Sequence, residues 1–317
     1  MNTRPKYDPT KKQDSSLEVT RAQAEGHALV ALESAMMTHG GLMRPQNLVF
    51  AQDMEQAVRD EGAVPATVGV LEGKLMVGMS QVDLERLAYT DAPLKLSPRN
   101  FAAALLQKSS GGTTLSGTMF AAIQRGIKVL ATGGIGGVQV EQRFDVSPDL
   151  KALAETPMVV VCSGALTVLD VAATAEYLET MSVPIIGYQT DKFPEFLLPG
   201  KNIPVSARFD TPEEIAKFAR LHWKLGLTSA VLICQPVAAS LAMERKQADE
   251  VISKASQEAQ AQAIRGQRLT PFLLKRVNDL TGGKSLRINQ ALALKNARLA
   301  AQISRALLDL DRVQNIA

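Results

Sequence analysis

Short apolar runs alternate with longer amphipathic stretches along most of the chain. The most apolar runs are PMVVVCSG (157–164), VPIIGYQT (183–190) and SAVLICQP (229–236). Strands that are apolar at nearly every position are buried on both faces, as in a parallel sheet covered by helices. With the runs ALVALES (28–34) and IKVLATGG (127–134), this alternation predicts an α/β fold, a three-layer α/β/α sandwich with a mainly parallel sheet.

Helix starts and the helical C-terminal portion complete this outline. A serine followed by proline at Ser97-Pro98 and Ser147-Pro148 is typical of an N-cap and the first helical residue. About the last 80 residues have helical periodicity, so the C-terminal portion is predicted to be helical. We expect residues 1–26 to form an N-terminal arm, either mobile or a first helix packed on a neighbour. Residues 27–317 are then one α/β/α domain.

A sheet of this kind predicts where ligands bind. In doubly wound folds the site lies beyond the carboxyl ends of the strands. The following small or polar residues come directly after predicted strands: Glu33, Ser34, Ser97, Thr132, Gly133, Gly134, Ser163, Gly164, Gln189, Thr190, Asp191, Gln235 and Pro236. We therefore expect the functional site to be built from this set.

Composition excludes several classes of partner. Lys and Arg number 35 against 32 Asp and Glu, so the net charge of +3 is spread thinly and forms no basic stripe for a nucleic-acid polymer. One Trp, four Tyr and nine Phe are too few for a base-stacking surface. No apolar run approaches the ~20 residues of a membrane span, and the polar N-terminus lacks the apolar core of a signal peptide. These features predict a cytoplasmic protein without membrane contact.

Cysteine and histidine usage argues against zinc and against disulfides. Cys162 and Cys234 lie inside apolar runs and are predicted to be buried core thiols. They form neither a CxxC motif nor a disulfide framework. His27, His39 and His222 lack the spacing of zinc ligands.

Two glycine clusters are candidates for holding a phosphate. GGTT (111–114) precedes a helix, so free backbone amides and the hydroxyls of Thr113 and Thr114 could hold an anion there, although a tight turn explains the glycines equally simply. GGIGG (133–137) follows a strand but lacks the GxGxxG spacing and the helix of a dinucleotide site. An NAD-type oxidoreductase is therefore disfavoured.

Four charged residues are candidates for chemistry. Glu33 at a strand end could be a general acid, or simply a solvated carboxylate. Asp145 and Asp149 flank a predicted helix start and could hold a hard divalent cation with waters, or merely stabilise the helix dipole. Lys95 lies between two leucines and could reach a phosphate, or be an ordinary exposed lysine on an edge strand.

A family resemblance rests on many ordered segments. They are ALES (31–34), HG (39–40), PQN (45–47), GAVPAT (62–67), GGTT (111–114), IKVLATGGIGGV (127–138), FDVSPDL (144–150), YLET (177–180), VPIIGYQT (183–190), TPFLL (270–274), LTGG with the later Asn289, and NARLAA (296–301). Together they resemble the pseudouridine-5′-phosphate glycosidases, also called indigoidine synthase A-like proteins. The resemblance covers roughly residues 28 to 305.

The resemblance implies an activity, a metal and an assembly. Such enzymes reversibly cleave the C–C glycosidic bond between uracil and ribose 5-phosphate, use a divalent metal, typically Mn²⁺, and form homotrimers. A lysine forms a ribosyl imine, and a glutamate protonates the departing base.

The family's residues carry over to this chain by position. The proton donor falls on Glu33 and the metal ligand on Asp145. The remaining positions are implied substrate contacts: Lys95, Leu115, Ser147, Pro148, Asp149 and Asn289. The hydroxyls of Thr113 and Thr114 in GGTT are further candidate substrate contacts.

Two departures change what the resemblance implies. The imine-forming lysine falls on Leu166, which has no nucleophile, and an active-site histidine is replaced by Gln139, with Arg143 the candidate for restoring its charge.

Three alternatives follow from these departures. The protein cleaves the glycosidic bond of a nucleoside or its 5′-phosphate without an imine, uses another amine such as Lys95 or Lys192, or binds a nucleotide or sugar phosphate without catalysis. A purely structural protein fits poorly with the polar strand ends.

Overall fold

The computed structural model describes residues 14–140 and 144–314. Its strands are β1 (Leu29–Glu33), β2 (Val64–Leu71), β3 (Lys74–Val77), β4 (Leu94–Leu96), β5 (Gly111–Thr113), β6 (Val129–Ala131), β7 (Val159–Cys162), β8 (Ile185–Tyr188), β9 (Ala207–Phe209) and β10 (Val231–Cys234). Its helices are α1 (Leu17–Glu25), α2 (Ala35–His39), α3 (Gln46–Asp60), α4 (Gln81–Ala88), α5 (Phe101–Leu106), α6 (Leu115–Gln124), α7 (Pro148–Glu155), α8 (Val171–Thr180), α9 (Pro212–Lys224), α10 (Arg245–Ala261), α11 (Leu269–Leu280) and α12 (Lys284–Gln314). A short 3₁₀ turn, Gly266–Arg268, precedes α11.

The described strands form one sheet in the order β4-β5-β2-β1-β6-β7-β10-β8-β9, with β3 paired to β2. All neighbours are parallel except the pairs β2–β3 and β2–β5. The predicted mainly parallel sheet is confirmed. Because β5 pairs antiparallel with β2 and parallel with β4, strands β4 and β5 run opposite to the central strands.

Alternate residues of the central strands enter two separate cores, as the uniformly apolar runs predict. On one face, strand residues such as Leu130 and Val160 pack with α1, α6, α7 and α8. On the other face, residues such as Val129 and Val159 pack with α3, α9 and α12. The three-layer α/β/α sandwich is therefore confirmed. Cys162 and Cys234, in register on β7 and β10, are buried core thiols as predicted.

The C-terminal portion is helical, as predicted. Helices α10 and α11 pack on α12 around a third apolar cluster that includes Leu273 and Leu292. In the N-terminal region, Val19 and Ala22 of α1 are buried, and α1 packs on the sheet of the same chain. Among the described helices, none is long and apolar enough to cross a membrane.

Two local predictions near the site are wrong. GGTT leads into helix α6 as predicted, but Gly111–Thr113 is strand β5 and not a tight turn. Ser97 does not cap a helix either. The chain instead makes a turn at residues 98–100, in which the side-chain oxygen of Asn100 accepts a hydrogen bond from the Ser97 amide at 2.9 Å. Helix α5 begins only at Phe101. The predicted cap at Ser147 before Pro148 is confirmed.

Candidate active site

A cavity of about 230 Å³ lies beside the residues that follow β1, β6 and β7, where parallel α/β sheets bind ligands. We call it the site cavity. Most of the residues implied by the sequence line it: Glu33, Lys95, Thr114, Leu115, Asp145, Ser147, Pro148, Asp149, Leu166 and Asn289. The chain brings them together from strand ends, from the loop before α7 and from α12.

Thr113 lies outside the site cavity. Its side chain is fully buried, and its hydroxyl donates to the carbonyl of Val68 at 2.8 Å and lies 2.9 Å from the Thr118 hydroxyl. The Thr113 hydroxyl thus links β5 to β2 and to α6, and its part in binding a substrate stays a prediction.

Glu33 ends β1, and its carboxylate accepts a hydrogen bond from the hydroxyl of Thr132. Burial is the main cause that raises its pKa to about 7, and the negative charge of Asp149 adds to it. The Thr132 hydrogen bond and Lys95 act in the opposite direction. The alternative that Glu33 is simply a solvated carboxylate at a strand end does not fit this burial. At neutral pH it is protonated in a large fraction of molecules, as a general acid must be.

Asp145 has an unsatisfied oxygen. Its Oδ2 atom is buried and has no hydrogen-bond partner among the described residues, yet the residue lines the site cavity. A carboxylate oxygen is a ligand of hard divalent cations, so this atom fits such a cation. No group of three acidic, histidine or cysteine side chains surrounds a point in the described part of the chain. A cation here would therefore keep mostly water in its coordination shell.

The carboxylate of Asp149 binds backbone amides of two other segments. Its two carboxylate oxygens accept hydrogen bonds from the amides of Ser116 at 3.0 Å and Gly136 at 3.1 Å. The side chain thereby fastens the start of α7 to the start of α6 and to the glycine loop. Because the Ser116 amide is occupied by Asp149 and the Gly117 amide by the Thr114 hydroxyl, the expected phosphate cradle of free α6 amides is largely wrong.

Asn289 on α12 faces the glycine loop. Its amide makes no hydrogen bond with any described residue, so its polar atoms are available to a ligand. A Cβ atom added to Gly133 would lie 2.5 Å from Asn289 Oδ1. A side chain at position 133 would therefore displace the Asn289 side chain from its present position.

His39 lines the site cavity and was not singled out from the sequence. Its Nε2 atom lies 3.0 Å from the carbonyl of Pro93, which can only accept, so Nε2 carries the proton. Burial lowers the pKa of His39, with Lys95 acting in the same direction, and this favours the neutral ring at pH 7. The available signal was a histidine at the end of a short helix, followed by the glycines Gly40 and Gly41.

The substituted positions lie at the apolar end of the site cavity. Leu166 packs with the third core cluster and lines the cavity, and Gln139 donates to the hydroxyl of Thr270 at 3.0 Å. Of the two alternative amines, Lys95 lines the site cavity, whereas Lys192 is exposed and does not. Arg143 lies outside the described residues.

Asn296 on α12 ties three strand ends together. Its Nδ2 group donates to the carbonyl of Thr132 at 2.8 Å and to Ser163 Oγ at 3.0 Å, and its Oδ1 accepts from the Gln235 side chain at 3.2 Å. The residue is fully buried. Asn296 thus supports the glycine loop from below. It begins the family segment NARLAA, but the segment alone assigned it no contact.

Asn296→Ala is expected to lower the free energy of unfolding by about 3 kcal/mol, because several buried polar groups lose their partner. Denaturation in urea measures this change. Asn202→Ala, an exposed control, is expected to change stability by less than about 0.5 kcal/mol. Equal effects of the two substitutions would contradict the bridging role of Asn296.

Comparison with known proteins identifies the family. The model of the indigoidine synthase A like protein family matches residues 18–306. The chain belongs to this family. The resemblance found in the sequence segments is thereby confirmed.

Curated relatives in the family share close to half of their residues with this chain. A protein of Geobacillus kaustophilus named pseudouridine-5′-phosphate glycosidase is 45% identical over 92% of this chain and 97% of its own length. Pseudouridine-5′-phosphate glycosidase 2 of Rhizobium johnstonii is 44% identical over 95% and 97%, respectively.

Solved structures share the fold over nearly the whole chain. The prealnumycin C-glycosynthase AlnA, crystallised with ribulose 5-phosphate, aligns with a TM-score of 0.88 at 36% identity, covering 96% of this chain and 100% of that one. An indigoidine synthase A-like protein of Thermotoga maritima gives a TM-score of 0.85 at 30% identity, covering 93% and 96%.

Proposed function

We propose that this protein cleaves the glycosidic bond of a nucleoside or pseudonucleoside, or of its 5′-phosphate, with Glu33 as the acid and without a lysine imine. A divalent cation, typically Mn²⁺, is held at Asp145. With pseudouridine 5′-phosphate as the substrate, the products are uracil and ribose 5-phosphate. The observation that carries the proposal is the carboxyl of Glu33, whose pKa is raised to about 7, in one cavity with the unpaired Asp145 oxygen.

Each residue has a distinct task in this proposal. Glu33 delivers its proton to the base as the bond to the sugar breaks, since a base leaves as a neutral molecule only when protonated. Lys95 receives the phosphate end of the substrate. Asn289, with its free amide, binds the sugar and base. Leu166 has no nucleophile, so a water molecule attacks the anomeric carbon of the sugar. The proton of this water passes to the Glu33 carboxylate that has just protonated the base, and the product is the free sugar or sugar phosphate.

The charges lining the cavity favour a bound cation. Three carboxylates, Glu33, Asp145 and Asp149, line it with one lysine, Lys95, among the described residues. A phosphorylated substrate adds further negative charge. Asp145 would hold a divalent cation here, and such a cation would supply positive charge against the carboxylates and the phosphate.

An assay of base release tests the proposed function. The protein is incubated with Mn²⁺ and, in parallel, with pseudouridine 5′-phosphate, pseudouridine and uridine 5′-phosphate, and uracil is measured by chromatography. We expect uracil from at least one of the three. Release from none of them would reject cleavage of these bonds and leave the second candidate.

Asp145→Asn is expected to lower kcat/KM by about 10²-fold or more, because a neutral amide binds a hard cation poorly. Chelation of the metal with EDTA should abolish activity of the wild type, and added Mn²⁺ should restore it. Calorimetric titration with Mn²⁺ alone gives an independent readout. Binding of Mn²⁺ by Asp145→Asn as tight as by the wild type would contradict the assignment.

The second candidate is a catalytically impaired homologue that binds a nucleotide or sugar phosphate. One observation favours it: the apolar Leu166 occupies the position where the family resemblance implies the nucleophilic lysine. Tight binding of ribose 5-phosphate without any base release is the result that would support this candidate.

A further inference from the structure

The hydroxyl of Ser97 is buried and unpaired. Ser97 is 5% exposed, its Oγ atom has no hydrogen-bond partner among the described residues, and the residue lines the site cavity. A buried hydroxyl without a partner destabilises a folded protein, so it persists where a ligand supplies the partner. No part of the function proposed above uses this group.

Strand alternation places Ser97 beside Lys95. Side chains at i and i+2 of a strand point to the same side, and Lys95 and Ser97 both line the site cavity, while Leu96 between them is buried in a separate apolar cluster. The cavity wall here also includes Thr114 and His39. A cation and a hydroxyl are thus neighbours in the wall of the cavity.

Asn100 holds this end of the strand in place. Its Oδ1 accepts from the Ser97 amide at 2.9 Å, and its Nδ2 donates to the Lys95 carbonyl at 3.0 Å. The Ser97 carbonyl accepts from the Asn100 amide at 3.1 Å. Because Asn100 fixes the backbone here, the Ser97 hydroxyl makes no capping or turn contact. The hydroxyl is therefore free to bind a ligand.

We propose that Ser97 is a specificity-determining residue whose hydroxyl donates a hydrogen bond to the phosphate of the substrate bound by Lys95. This inference rests on the proposed function and names the group that distinguishes a phosphorylated from an unphosphorylated ligand. A phosphate oxygen accepts such a charge-assisted hydrogen bond readily. The carboxylates of Asp145 and Asp149 repel a phosphate, so a neutral donor beside Lys95 helps to hold it.

The test compares the affinities of Ser97→Ala, Ser97→Thr and wild type for ribose 5-phosphate and for pseudouridine, measured by calorimetry in the presence of Mn²⁺. We expect Ser97→Ala to weaken ribose 5-phosphate about 10- to 100-fold, as loss of a hydrogen bond to a charged group does. Its affinity for pseudouridine should be unchanged. Ser97→Thr, which keeps the hydroxyl, should restore much of the phosphate affinity.

A stability measurement separates this role from a structural one. Removal of an unpaired hydroxyl should leave the thermal midpoint of the ligand-free protein unchanged or raise it, whereas loss of a structural hydrogen bond would lower it. Ser110→Ala, a control outside the site cavity, should bind both ligands as the wild type does.

Three results would overturn the assignment of Ser97. The first is unaltered ribose 5-phosphate affinity in Ser97→Ala, and the second is equal weakening of both ligands. The third is a wild type that binds ribose 5-phosphate no more tightly than D-ribose, which removes the phosphate preference itself. Base release is measured separately. If the enzyme releases base but gives any of these three results, the proposed function stands and the role of Ser97 is rejected.

Discussion

Glu33→Gln is expected to lower kcat for glycosidic cleavage by about 10²- to 10⁴-fold, the usual contribution of a positioned general acid. The amide has nearly the shape of the carboxyl and can still accept the hydrogen bond from Thr132, so the fold should be retained. Steady-state release of the base measures the effect. A control at Glu213, an exposed acid on helix α9, should leave kcat of Glu213→Gln within about a factor of two.

The pH dependence follows from the raised pKa of Glu33. A general acid works only while protonated, so kcat/KM should fall about tenfold per pH unit above a pKa of about 7. Glu33→Gln should lose this alkaline limb. Because the Thr132 hydrogen bond lowers the pKa of Glu33, Thr132→Val should move the limb to higher pH. An alkaline limb that persists in Glu33→Gln would assign it to another group.

Leu166→Lys is expected to convert the enzyme to covalent catalysis. An amine at this position would lie in the cavity wall among apolar residues of the third core cluster, where burial lowers a lysine pKa and leaves a nucleophilic amine. Borohydride treatment in the presence of ribose 5-phosphate should then give a protein with one sugar phosphate attached, read by intact mass. The wild type should give none.

Leu166→Met is the matched control for this experiment, since it conserves volume and has no amine. It should show neither an adduct nor a large change in thermal midpoint. An adduct in the wild type would contradict the absence of an imine and direct attention to Lys95, the alternative amine that lines the site cavity. Peptide mapping of the reduced adduct would decide which lysine carries it.

Much of the fold follows from local patterns in the sequence. The uniformly apolar strands around residues 157–164 and 229–236 can only be buried on both faces, and this fixes a covered parallel sheet. The carboxyl-end rule then places Glu33 and the glycine loop at the site without any knowledge of their contacts. The family segments add the loop with Asp145 and the late Asn289.

Contacts between distant segments account for what sequence reasoning missed. The GGTT segment has the composition of a phosphate-binding turn, but Gly111 and Gly112 pair with β2. In the helix that follows, the amide of Ser116 donates to the carboxylate of Asp149, 33 residues away. Asn296 supports strand ends more than 130 residues away in sequence. The Ser97 hydroxyl lacks a partner because Asn100, not Ser97, closes the turn.

The most direct test of the central claim follows the wild-type protein during turnover. Pseudouridine 5′-phosphate and Mn²⁺ are added, uracil release is measured, and samples taken with borohydride are analysed by intact mass. The account predicts free uracil from a protein of unaltered mass. A sugar phosphate adduct on the wild type, or release of uracil that is undiminished in Glu33→Gln, would contradict it.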